Sequence, residues 1–168
     1  MPPRNNVQNA WEVLGAPLYL FAALLAAVPC IDFVQSIGVP QVGNVQWRFA
    51  TVGLLSSVLL TPMLGLVIAM VTALVRSDVV PLRALALLSA LSAAVLFVLL
   101  AGFVLDVLQL RGSIPEAGRA GFRTASIKAV VKHMSAVMVL AFLGLRAWRI
   151  SSWRTPSEAR GPIPIVSR

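Results

Sequence analysis

Between Ala84 and Leu105 the chain reads ALALLSALSAAVLFVLLAGFVL, 22 residues without a charged side chain. A hydrocarbon core of about 30 Å takes ~20 helical residues to cross, so this stretch predicts a membrane span. The same pattern recurs outward from it: Val13–Ile31 holds 19 uncharged residues and Phe49–Val75 holds 27. A fourth span is shorter, because only 13 residues separate Lys132 from Arg146. It must reach back to about Ile127, with Lys128 and Lys132 snorkelling or facing protein. Met134–Leu145 is apolar on nearly every face, which argues for insertion rather than a pair of interfacial segments. The expectation is an all-α integral membrane protein, a four-transmembrane-helix bundle in one domain over residues 1–150, with helices at about 10–35, 47–75, 82–110 and 125–149. A basic, proline-containing tail over residues 151–168 is expected to be disordered.

Composition agrees with a lipid solvent. Of 168 residues, 58% are hydrophobic and 12% charged, and the mean hydropathy is +0.87, whereas soluble domains run at roughly 45–50% apolar and 25% charged. Fourteen Lys+Arg against six Asp+Glu leave a net charge of +8. These charges fall between apolar runs, so they read as membrane flanks and anionic-headgroup contacts, not as a nucleic-acid surface. One cysteine, Cys30, and one histidine, His133, exclude a disulfide framework, a CxxC redox pair, a Cys/His zinc site and a bis-histidine haem. No cofactor or metal is expected.

Helix ends carry their own marks. Asn9 followed by Glu12 has capping-box spacing, which predicts that the first helix starts there. Trp11, Trp47, Trp148 and Trp153 fall at or just beyond predicted helix ends, where amphipathic rings favour the headgroup layer. Residues 76–83, with Asp78 and Pro81, read as a short turn, and 36–46 and 111–123 as longer loops. The first span reads as an uncleaved helix: its apolar run continues past the small residues Ala26 and Ala27, and Pro29 before Cys30 is a poor lipidation context. Helix parity places eight Lys/Arg with the two termini and six on the other side, which favours cytoplasmic termini. Twelve arginines against two lysines, in an Ala/Leu/Val-rich chain, point to a GC-rich bacterium and its cytoplasmic membrane.

The halves share a pattern. Asp32-Phe33-Val34-Gln35 closes the first helix and Asp106-Val107-Leu108-Gln109 the third; Pro40 then Trp47-Arg48 answer to Pro115 then Phe122-Arg123. This predicts a tandem duplication of a helical hairpin, with units at about 10–75 and 82–149. Its polar residues are the candidate site: Asp32, Gln35, Arg48, Asp106, Gln109, Arg123, Lys128 and Lys132. The plain reading pairs Asp32 with Arg48, and Asp106 with Lys128 or Lys132, locking each hairpin. A functional alternative makes the carboxylates a proton or cation pathway. A third makes them an aspartyl dyad that activates water, although the Gly-x-Gly-Asp signature is absent. Lys128, Lys132, Ser135, Arg146 and Arg149 form one polar stripe, facing the bundle or binding anionic headgroups. His133 reads as a hydrogen-bonded packing residue. Pro62 has no N–H for the carbonyl of Val58, so the second helix should kink, with Ser57 or Thr61 hydroxyls re-satisfying the backbone. HExxH, GxSxG and phosphate-loop motifs are absent from the sequence. The expected function is therefore a non-enzymatic accessory, structural or interaction subunit of the bilayer, as a homo-oligomer or with a membrane-protein partner. A small transporter or ion pathway using Asp32 and Asp106 is the alternative, and an intramembrane hydrolase comes third.

Overall fold

The computed structural model describes residues 6–153, with side chains from Val13 to Ser152. Among the described residues the chain is helical, with five elements: α1 Asn6–Ile37, α2 Val45–Val58, α3 Leu60–Arg76, α4 Val79–Leu110 and α5 Glu116–Trp153. Three stretches are each long and apolar enough to cross a membrane: Val13–Ile37, Val79–Leu110 and Glu116–Ser152. Helices α2 and α3 meet that standard only together, as a pair bent by 45°.

The bend lies where the proline put it. Leu59 separates the two helices, three residues before Pro62, which has no N–H to continue the ladder. Of the two hydroxyls expected there, Ser57 bonds the backbone, joined by Ser56. Ser56 donates to the carbonyl of Gly53 at 2.7 Å and Ser57 to that of Leu54 at 2.6 Å, in the turn before the break, and Thr61 is exposed.

Helix α4 packs along α5, and α1 along α3. The α4–α5 contact follows a heptad seam. On α4 the buried positions are Leu82, Ala86, Ser89, Ala93, Leu96, Leu100 and Phe103; on α5 they include Ser126, Ala129, His133, Ala136, Leu140 and Ala147. Spacings of three and four alternate, the period at which two helices stay in contact by coiling left-handedly. Small residues on both sides let the backbones approach. A Cβ on Gly144 would stand 3.2 Å from the carbonyl oxygen of Ala86. The α1–α3 contact is tighter, since a Cβ on Gly65 would lie 2.5 Å from the carbonyl oxygen of Ala22.

Several boundaries move. Helix α1 is already formed at Asn6, so Asn9 lies inside it and is not its N-cap. The turn after α3 shrinks to Ser77 and Asp78, with Ser77 in the left-handed region at φ 60°. Pro81 sits in the first turn of α4, where a missing N–H costs nothing. Helix α5 begins at Glu116, directly after Pro115, so the expected loop 111–123 keeps only its first five residues. At 38 residues α5 is about 57 Å long. Ser151–Trp153 are helical and Ser151 is buried; the rest of the expected disordered tail lies outside the described residues, as do the side chains of Trp11 and Trp153.

Candidate functional site

Asn44 starts the site. Its side-chain oxygen accepts the backbone N–H groups of Gln46 at 2.9 Å and Trp47 at 3.2 Å, satisfying the orphan donors of the first turn of α2. That end of the helix carries Trp47, Arg48 and Phe49, which between them reach α1, α4 and α5. The indole N–H of Trp47 donates to the carbonyl of Ile37 at the end of α1, 3.2 Å away. Phe49 stacks on Phe103 of α4 at a centroid distance of 5.2 Å and on Phe122 of α5 at 5.0 Å.

Arg48 reaches Asp106 of α4. Its Nη2 donates to Oδ1 at 2.6 Å, and its Nε lies 3.1 and 3.2 Å from the two carboxylate oxygens. Nη1 donates to the carbonyl of Val42 at 2.7 Å. The carboxylate side chain is 6% exposed and the guanidinium side chain 34%. A planar fork that engages both oxygens is the strongest form of such a pair. Both carboxylate oxygens of Asp106 accept from this one cation.

This corrects the expected pairing in both halves. Arg48 was expected on Asp32, and it holds Asp106; Lys128 and Lys132 were expected on Asp106, and both are exposed on α5. The reason is geometric. The break at Leu59 leans α2 toward α4 and α5, whereas α3 keeps the contact with α1. Asp32 also lies about 7.5 Å along α1 from Ile37, whose carbonyl accepts from Trp47. Asp32, Gln35, Gln109 and Arg123 are exposed, and among the described residues neither Asp32 nor Arg123 has an ion-pair partner. The structure does not bring Asp32 and Asp106 together.

The polar stripe on α5 faces outward. Lys128, Lys132, Ser135, Arg146 and Arg149 are all exposed, on the side away from the small-residue seam, and Arg146 lies 5.2 Å over the ring of Phe142. His133 is fully buried in the seam. Its Nδ1 contacts the carbonyl of Ala129 at 2.9 Å and its Nε2 has no partner, so Nδ1 carries the hydrogen in that contact. Trp148 is 49% exposed and Trp47 half-buried, and Pro62 is half-buried beside the break.

A cleft of about 800 Å³ separates α1 from α4, floored by α2 and α3. Tyr19, Ala23 and Cys30 line one wall and Leu88, Leu91 and Val95 the other. No group of three metal-ligating side chains occurs among the described residues. Asn44 and the Phe49–Phe103–Phe122 stack are the parts of the site missed from sequence. Asn44 could have been found as an asparagine directly before an apolar periodic run; the aromatic stack has no local signal. Comparison with protein-family models, with curated proteins and with solved structures finds no match.

Proposed function

We propose that this chain is a non-enzymatic polytopic membrane protein acting as an accessory, structural or interaction subunit in the bilayer. On this reading α2 and α3 form one broken span of a four-span bundle, with both termini cytoplasmic. The observation that carries it is the use made of the most buried charge: Asp106 ties α4 to α2 through Arg48, in the layer where Trp47 and Phe49 tie on α1 and α5. Polar groups spent on holding helices together suit a scaffold. Antiparallel pairing in each half, α1 with α3 and α4 with α5, supports the duplication. The bilayer itself is a partner, and the exposed Lys128 and Lys132 suit anionic headgroups. Purification in mild detergent tests the scaffold role. A complex larger than one chain is expected, and a monomer with no co-purifying membrane protein would overturn it.

A small transporter or ion pathway is the second reading, favoured by the broken α2–α3 span beside the cleft and by the exposed Asp32. Cys30 discriminates, because it lines the cleft. A charged, water-soluble thiol reagent modifies Cys30 in intact membranes if the cleft is an aqueous path. On the scaffold reading only a membrane-permeant reagent does.

A further inference from the structure

Helices α1 and α4 flank the cleft of about 800 Å³, and their backbones never come into contact. On α4 the cleft is lined by Leu85, Leu88, Ser92, Val95 and Leu99, a stripe whose spacings alternate between three and four as they do on a face that meets another helix. The opposite wall runs from Tyr19 to Phe33 of α1. Fourteen positions separate the ends of each wall, so both are about 21 Å long. Two faces of equal length thus stand across a gap that the described residues leave open.

The size of the gap selects its occupant. About 800 Å³ spread over about 21 Å leaves a mean section of about 40 Å². An α-helix with its side chains is 10–12 Å across and needs about 80 Å² or more, so neither a helix of a second copy nor one of another protein fits. Carbon atoms pack at 3.5–4.0 Å, which makes a hydrocarbon chain roughly 5 Å across with a section of about 20 Å²; two chains fill the gap side by side. One leaflet is about half of a 30 Å core, and the cleft is longer than that. Its surface suits hydrocarbon: Leu88, Leu91 and Val95 are each at least half exposed, and among the described residues no charged side chain lines it. Leu85 stands two residues from Arg83, and Leu99 seven from Asp106. That is about 3 Å against about 10 Å, so the cleft lies nearest the membrane face that carries the α3–α4 turn.

Resting on the scaffold reading, we infer that the cleft between α1 and α4 is the binding site of one diacyl phospholipid, drawn from the leaflet at the α3–α4 turn. Its two acyl chains join α1 to α4 in place of direct helix contact. In an apolar solvent the gain comes from packing rather than from the hydrophobic effect, and an unfilled gap forfeits that packing on both walls. The other neighbours of α1 are α3 and α2, so the lipid is what ties its free side to the α4–α5 pair.

Retention of lipid through detergent extraction tests this. Wild-type protein and two variants are reconstituted in dioleoylphosphatidylcholine vesicles, extracted in mild detergent and weighed by native mass spectrometry. Wild type should retain one phospholipid per chain. The double change Ala23→Trp, Ser92→Phe fills the cleft from both walls and should retain at least tenfold less, while Val98→Trp, at an exposed position outside the cleft, should retain the wild-type amount. The filled variant supplies its own packing, so after lipid is stripped it should melt no lower than stripped wild type, which shows that it folds. If it does not fold, a phospholipid with photoreactive acyl chains decides on wild type: crosslinks that saturate at one per chain on the cleft walls support the site, and labels spread evenly over the exposed faces overturn it. Equal retention by the filled variant and wild type, or none by wild type, would overturn the site and leave the scaffold reading standing. A second copy retained by wild type and lost from the filled variant would overturn it in favour of a helix in the cleft. Modification of Cys30 by a charged reagent in intact membranes overturns both readings.

Discussion

Asp32 and Asp106 stand in the same D-x-x-Q setting, yet Asp106 is 4% exposed and Asp32 faces outward. What separates them is a cation within reach at the right depth. Removing the buried carboxylate leaves the Arg48 guanidinium with only the Val42 carbonyl, so Asp106→Asn should lower the melting temperature by roughly 5 °C or more. An Arg48→Gln, Asp106→Asn double change should recover part of that loss, whereas Lys132→Gln should add to it independently; a thermal-unfolding cycle in detergent reads the coupling. His133 gives the opposite expectation. Its Nε2 is buried without a partner, so His133→Leu removes an unsatisfied acceptor at similar volume and should change stability by less than ~1 kcal/mol or raise it. A loss above ~2 kcal/mol would mean that Nε2 is bonded in the membrane. The identity of these polar residues was legible in the sequence, because charges are rare in apolar runs. Their pairing was not, because Arg48 reaches across 58 positions to a helix on the other side of a bend.

Helices were the easiest objects to find and their ends the hardest. All four apolar runs became helix, and Pro62 broke the second at 45°, because a missing backbone donor is a local property of one residue. Helix α5 started at Glu116 rather than near 125; residues 116–121 are exposed, so the extension rests on local signals, Pro115 before the helix, Glu116 in its first turn and the Glu116–Arg119 pair. The α4–α5 seam of small and branched residues at alternating spacings of three and four was not read from the sequence, because the positions on either side of it are apolar too. Two substitutions test the elements. Restoring the donor with Pro62→Ala should straighten α2 on α3 and change the width of the α1–α4 cleft, read as a shift in spin-label distance between Ala23→Cys and Leu91→Cys in a Cys30→Ala background. Gly65→Leu drives a side chain into the backbone of Ala22 and should cost at least ~1–3 kcal/mol, visible as loosening of α1 in unfolding experiments.

At the scale of the whole molecule, membrane topology turns on the bent pair. With α2 and α3 as one span, Gly43 and Ser113 face one side of the membrane and Ser77 the other. Single cysteines at these positions should therefore label from opposite sides, and labelling of Gly43 and Ser77 from the same side would make α2–α3 a re-entrant loop. The all-helical architecture was legible because lipid requires every backbone group to be satisfied within its own segment; the sideways arrangement was not, because apolar faces in an apolar solvent leave little pattern. The tight fit of Gly65 on Ala22 also bears on biogenesis. On the proposed four-span reading α1, α2 and α3 are made before α4, so Arg48 would enter the bilayer before Asp106, its partner, exists. During that interval the packing of α1 on α3, closest at Gly65 and Ala22, is already available to hold the two together. On that reading a newly made N-terminal half is a docked hairpin whose Arg48 has only the Val42 carbonyl, and its ion pair closes only when α4 supplies Asp106.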